Sequence, residues 1–259
     1  MGTRRFKYTR KKDAEPDEYW LSKSNFRKFN QSLLDVGDIS KDKECFEALA
    51  VIFDLKGFTS FCDQRDPHLE VPEYLNAFLN WLFRRVAEES IKEEDANQFI
   101  LWSHLPFFAK FLGDGVLFLW DARNLTPEAK GNIVVSLYII CNDYEKEFLP
   151  KVRKKFTNPP SKLRCGIAQG QIIAIGDESD FVGLCINVAS RLQKLGDGQF
   201  SFAFTKKGLD LERSFHEGWH KDFRLIKILI RGVGKEEFVY VLKKEFNALS
   251  KPEKKKLLP

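Results

Sequence analysis

The tripeptide Gly113-Asp114-Gly115 constrains this chain most. It separates two strand-like runs, FFAKFL and VLFLW, and so predicts a tight β-hairpin. What flanks the hairpin then sets the fold. Upstream, AVIFDL reads as a buried strand, and the stretch 71–91 places Tyr74, Leu75, Phe78, Leu79, Leu82 and Val86 at helical spacing. Downstream, Thr126 as N-cap and Pro127 in the first turn predict a second helix that ends at Pro150. LRCGIAQ and QIIAIG read as a strand pair broken at Gly170, followed by a short helix over 187–195 and strands near 200–205, 225–230 and 237–242. The order strand-helix-strand-strand-helix-strand predicts an α+β protein, a ferredoxin-like βαββαβ sandwich with a C-terminal extension.

The 259 residues divide by composition into a polar extension (1–45) with one expected helix over 18–34, a globular domain (46–243) and a basic tail (244–259). In that extension, Trp20, Phe26, Phe29 and Leu33 form the apolar side. The net charge is +5, yet six basic residues without an acid stand in 1–12, and six lysines against two glutamates in 243–259. The globular part is therefore mildly acidic, which argues against a nucleic-acid groove and makes the ends solvated tails. No apolar run is long enough for a membrane span, and the opening MGTRRFKYTRKKD lacks an export signal, so a cytoplasmic protein is expected. Five cysteines without CxxC spacing fit buried thiols in a reducing compartment.

Asp54 ends the first strand and precedes Gly57, Phe58 and Thr59, so the chain leaves the sheet through a turn that exposes backbone N–H groups. Asp114 caps the hairpin, and in a ferredoxin-like sheet the first strand lies beside that hairpin, so the two carboxylates converge. Paired carboxylates beside exposed amides suit a divalent metal and a polyphosphate. Either aspartate taken singly reads as a turn residue. Asn187 and Arg191 lie four apart and share a helix face, offering an amide and a fixed cation, or simply a surface ion pair. Lys110 stands in an apolar strand, where an ammonium needs a partner or an edge position.

Four segments, VIFDLKGFTSF (51–61), KFLGDGVLFL (110–119), LRCGIAQGQI (163–172) and GLCINVASRL (183–192), resemble the class III nucleotidyl cyclases, with RGVGKEEFVYVL (231–242) as a weaker fifth. The resemblance implies that Asp54 and Asp114 bind two divalent cations, Mg²⁺ or Mn²⁺, with the Leu55 carbonyl assisting. It implies that the amides of Lys56, Gly57, Phe58 and Thr59 face the triphosphate, that Asn187 orients the ribose, and that Arg191 stabilises charge at the α-phosphate. Lys110 and Asp180 fall at its base-reading positions. Arg164 and Arg231 are candidate phosphate contacts, Arg164 being equally readable as a strand-edge cation. A symmetric homodimer with active sites at the subunit interface is implied.

Lys110 donating and Asp180 accepting suits adenine, cytosine or uracil and opposes guanine. The longer segment VIFDLKGFTSFCDQRDPHLEVPEYLNAFLNWLF resembles the stand-alone pyrimidine cyclases of the bacterial anti-phage system called Pycsar. That implies conversion of UTP to cyclic UMP or CTP to cyclic CMP, and a separate effector that reads the product. The alternatives are an adenylate cyclase and a catalytically silent nucleotide-binding module. Phe53, Phe108 and Phe181 are the bulky residues near the implied base site, though strand alternation sends Phe53 to the core side. His216-Glu217-Gly218-Trp219-His220 spells HExxH, but Gly218 weakens the helix a zinc site requires.

Overall fold

The computed structural model describes residues 9–10, 19–30, 44–64, 67–176, 178–209, 218–230, 233 and 236–257. The chain forms two compact units, one of residues 1–45 with 173–182 and one of residues 46–172 with 183–259. In the first unit, β1 (Thr9–Arg10) and β2 (Tyr19–Trp20) pair antiparallel, and α1 (Lys23–Arg27) begins at Ser22, whose hydroxyl accepts from the Asn25 amide at 3.2 Å. Of the helix expected over 18–34, the described residues 19–30 form a strand followed by five helical residues, because Ser22 caps a new start inside it; Leu33 lies outside the described residues. Phe26 and Phe29 are exposed.

The second unit is built on the expected order. β3 (Cys45–Lys56) leads through α2 (Phe58–Cys62) into α3 (Pro67–Glu88). A ribbon that the sequence pattern does not announce, β4 (Ile91–Glu94) with β5 (Phe99–Leu101), precedes the hairpin of β6 (Phe108–Phe111) and β7 (Gly115–Asp121). α4 (Pro127–Asp143) starts where Thr126 Oγ1 accepts from the Ala129 amide at 3.1 Å. It does not stop at Pro150. A π-helical turn over Tyr144–Phe148 passes it into α5 (Leu149–Val152), where Pro150 sits in the first turn and needs no amide partner.

β8 (Lys162–Ile175) runs unbroken through Gly170, where Cys185 packs so closely that an added Cβ would lie 3.3 Å from its Cβ. The glycine serves packing here and makes no break. The end of β8 pairs with β9 (Asp180–Val182), a hairpin belonging to the first unit. Then come α6 (Leu184–Leu192), α7 (Leu195–Gly198), β10 (Phe202–Thr205), β11 (Phe223–Leu229), β12 (Glu236–Leu242), α8 (Lys243–Ala248) and α9 (Lys251–Leu257). The lysine-rich end is helical through Leu257: Phe246 is buried, and the Glu245 carboxylate accepts from the Ser201 amide at 2.9 Å.

The sheet order is β11-β12-β10-β8-β3-β7-β6. Its last four strands reproduce the ferredoxin-like arrangement, and β10, β12 and β11 extend it beyond β8. One face carries Leu49, Val51, Phe53 and Leu55 of β3 together with Phe118, Cys165, Ile167 and Phe204, and it packs against Tyr74, Phe78 and Trp81 of α3 and Leu137 and Ile140 of α4. Tyr74 and Tyr144 are hydrogen-bonded through their hydroxyls at 2.7 Å, and Tyr144 donates to the Pro160 carbonyl at 2.6 Å, so neither polar tip is stranded in the core. Of the cysteines, Cys141, Cys165 and Cys185 are buried, Cys62 is half-buried and Cys45 is exposed; none is in a disulfide. Among the described residues no helix is long and apolar enough to cross a membrane.

Candidate active site

β3 and β7 are antiparallel with Asp54 opposite Gly115. The Leu55 amide donates to the Asp114 carbonyl at 2.9 Å, which ties the two aspartate-bearing segments together. The two hairpin glycines are there for different reasons. Gly113 adopts φ +96°, open to glycine at little strain, whereas a Cβ on Gly115 would fall 1.9 Å from the Phe53 carbonyl oxygen. The close approach of the two strands beside Asp54 therefore requires a bare Cα at 115.

Asp54 is only 2% exposed. Arg164 of β8 reaches it with Nε donating to Oδ2 at 2.8 Å and a second guanidinium nitrogen on the same oxygen, while Lys194 places Nζ 3.5 Å from Oδ1. Burial pushes the Asp54 carboxyl above the usual carboxylate range; Arg164 and Lys194 oppose that shift, and the Asp114 charge adds to it. Cys62 of α2 is likewise raised, by burial first and by the Asp114 charge second.

Lys56 ends β3, and its carbonyl accepts from the Ser161 amide at 3.0 Å. Gly57 follows with φ +91° and starts α2, whose first-turn amides no carbonyl within the helix can take. Gly57 and Thr59 are exposed, and Phe58 leans on the core. Lys56 lines a cavity of about 650 Å³ with Ser60, Arg153 and Ser161, and a second of about 460 Å³ with Lys162 and Arg164. Lys56 is common to both cavities, the turn residues Gly57 and Ser60 line the first, and Arg164 lines the second.

Lys110 is half-buried on the edge strand β6, opposite Leu117, which is opposite Ile52. Cross-strand partners share a face, so Lys110 is on the same side of the sheet as Asp54, away from the aromatic core. Arg164 shares that side, since Cys165 points into the core. Asn187 and Arg191 are exposed on one side of α6, whose Cys185, Val188, Ala189 and Leu192 are buried. α6 comes so near β8 that a Cβ on Gly166 would be 2.1 Å from the Ala189 carbonyl oxygen. Asp180 lies in the first unit, opposite Ile175, where its carboxylate accepts from the Phe181 amide at 2.9 Å. Phe53 is wholly in the core, edge-to-face with Phe118.

Arg231, His216 and Glu217 lie outside the described residues. Gly218 has φ +83° before a 3₁₀ turn over Trp219–Asp222, so the second half of HExxH is not on a continuous α-helix. Sequence reasoning missed Lys194, because its partner Asp54 is far away in the chain and no motif marks it. Among the described residues no group of three or more His, Cys, Asp or Glu side chains is placed to hold a metal. The donor set at Asp54 and Asp114 fits Mg²⁺ or Mn²⁺, hard ions that take one or two carboxylates and complete their shell with water and substrate phosphates.

No protein-family model and no curated protein matches the sequence. Solved structures do match the fold. The guanylyl cyclase Cya2 is 16% identical with a TM-score of 0.57, covering 78% of this chain and 94% of its own. The adenylyl cyclase CyaB from P. aeruginosa is 15% identical with a TM-score of 0.58, covering 78% and 96%. The catalytic core of a rhodopsin-guanylyl cyclase with converted specificity, in complex with ATPαS, is 17% identical with a TM-score of 0.51, covering 77% and 98%. The fold is that of class III nucleotidyl cyclase catalytic domains.

Proposed function

We propose that this chain is a nucleotidyl cyclase that closes a nucleoside triphosphate to a 3′,5′-cyclic nucleotide and releases pyrophosphate. The observation that carries the reading is Asp54 and Asp114 held together at the ends of paired strands, with Arg164 on Asp54 and, with Lys56, lining one cavity. When bound, a pair of divalent cations would supply acidity at the ribose 3′-hydroxyl and neutralise charge on the phosphates. Asp54, Asp114 and the Leu55 carbonyl would hold them. The amides of Lys56 to Thr59 take phosphate oxygens, with Arg164 and Arg231 as cationic contacts. In the reaction the 3′-oxygen bonds to the α-phosphorus as the bond to the bridging oxygen of pyrophosphate breaks, and the hydroxyl proton leaves to solvent.

Asn187 positions the ribose, and Arg191 meets the charge that grows on the α-phosphate. Both are solvent-exposed, which supports their serving a second copy of the chain. The active form in this reading is a homodimer with sites at the subunit interface. Lys110 and Asp180 read the base by donating and accepting. A pyrimidine, as UTP or CTP, is the substrate we infer, the cyclic product acting in bacterial anti-phage defence through a separate effector. The support is the resemblance of residues 51–83 to the pyrimidine cyclases.

Incubation with ATP, GTP, CTP and UTP in turn, with Mn²⁺ and mass identification of products, tests this. Cyclic UMP or cyclic CMP is expected. Cyclic AMP as main product would replace the pyrimidine with the adenine reading, and no cyclic product from any triphosphate would remove the enzymatic one.

A further inference from the structure

Asp54 has two carboxylate oxygens, and its two cationic neighbours divide them unequally. Arg164 holds Oδ2 through two nitrogens; its side chain is 13% exposed, and Gly198 of α7 closes over it so tightly that an added Cβ would be 3.3 Å from Nη1. It is built in. Lys194 meets only Oδ1, at 3.5 Å, with 56% of its side chain exposed. It stands at the start of α7, just beyond the helix that carries Asn187 and Arg191. Among the described residues Asp54 is its ion-pair partner, and a long ammonium on a flexible stem is the partner that can leave.

A divalent cation on Asp54 must take a carboxylate oxygen at roughly 2.0–2.5 Å. Oδ2 is fenced by the guanidinium, so Oδ1 is the side open to it, and that is where Lys194 stands. Two cations cannot share one oxygen at such range without strong repulsion. Nor need the ammonium leave the site. Asp54, Asp114, Arg164 and Lys194 sum to no net charge, and a pair of divalent cations balances a fully ionised triphosphate. Once displaced from the carboxylate, Lys194 would meet polyphosphate oxygens in competition with Glu245 and Glu253, which line one cavity with Arg164 and Gly198.

We propose that Lys194 is a further polyphosphate-binding residue, held on Asp54 and transferred to the phosphate chain when a divalent cation takes that carboxylate. This rests on the cyclase reading for its substrate class. Its signature is an opposite effect on two affinities, which a merely structural lysine would not produce.

The test measures Mn²⁺ binding to the full chain without nucleotide by electron paramagnetic resonance, then inorganic tripolyphosphate binding in saturating Mn²⁺. In Lys194→Met, Mn²⁺ should bind about five- to tenfold tighter because its competitor is gone, and tripolyphosphate should bind weaker by a similar factor. Lys194→Arg should retain tripolyphosphate binding, and Asp54→Asn should lose Mn²⁺ binding. Unchanged or weaker Mn²⁺ binding in Lys194→Met, or unchanged tripolyphosphate binding, overturns the proposal. Both readouts are independent of turnover. If cyclic product forms but the two shifts are absent, the role of Lys194 alone fails; if the shifts appear and no triphosphate is cyclised, the cyclase reading alone fails.

Discussion

The two faces of the sheet follow different rules although the same strands make both. Toward α3 and α4, β3 presents Leu49, Val51, Phe53 and Leu55, and ring packs on ring: Phe61 on Tyr74 at 5.0 Å, Trp81 on Phe148 at 5.0 Å. The other face of β3 offers Ala48, Ala50, Ile52 and Asp54, and β8 adds Arg164, Gly166 and Ala168. Small side chains there let the α6 backbone come down on the sheet, and the charges gather at one end. Bulk on one side supplies stability; its absence on the other positions chemistry.

This division can be broken by substitution. Phe78→Ala, on the bulky face, should cost about 3–5 kcal/mol in chemical denaturation while activity per folded molecule is retained; a loss below about 1 kcal/mol would contradict the assignment of stability to that side. Arg191→Ala, on the exposed side of α6, should lower kcat by about 10²–10³-fold with an unchanged melting temperature. Gly166→Ala joins the two cases: a methyl facing the Ala189 carbonyl should cost about 1–3 kcal/mol and move α6, so stability and activity fall together. If only stability falls, the placement of Asn187 and Arg191 does not depend on this contact.

The smallest change in stability concerns Asp54. Its carboxyl is raised by burial, so the native state holds the proton more tightly than the unfolded chain. Above the folded-state pKa the charged group therefore weakens the fold, and the penalty fades as pH falls through the window down to the ordinary value of 3.8. Asp54→Asn should thus abolish product at neutral pH while the melting temperature holds or rises by up to about 4 °C. A fall of that size would show that pairing with Arg164 and Lys194 outweighs burial.

Much of this is readable in the chain because it is local. The Gly113–Gly115 turn, the helical spacing of Tyr74, Phe78 and Leu82, and the alternation along β3 lead to the strand order and the meeting of Asp54 with Asp114. The four-residue spacing of Asn187 and Arg191 leads to their common exposed side. Expectations fail where a residue that usually breaks an element does something else: Gly170 makes room for Cys185, and Pro150 opens α5. The ribbon of β4 and β5 has no clean alternation, since Phe99, Ile100 and Leu101 are all exposed. The clasp of Arg164 and Lys194 on Asp54 joins residues far apart in the chain, and such contacts leave no periodic trace.

The π-helical turn over Tyr144–Phe148 has a last consequence. A π turn is an α-helix carrying one residue too many. Deleting a single residue there would relax the wide turn into ordinary α-helix and leave Leu149 and Val152 on the side they now bury. Tyr144 is the residue that such a deletion must spare, since its hydroxyl donates to the Pro160 carbonyl next to Ser161, whose amide meets the Lys56 carbonyl. Side-chain identity is therefore under tighter constraint in this stretch than length, because Tyr144 and Phe148 are buried whereas the wide turn can give up a residue.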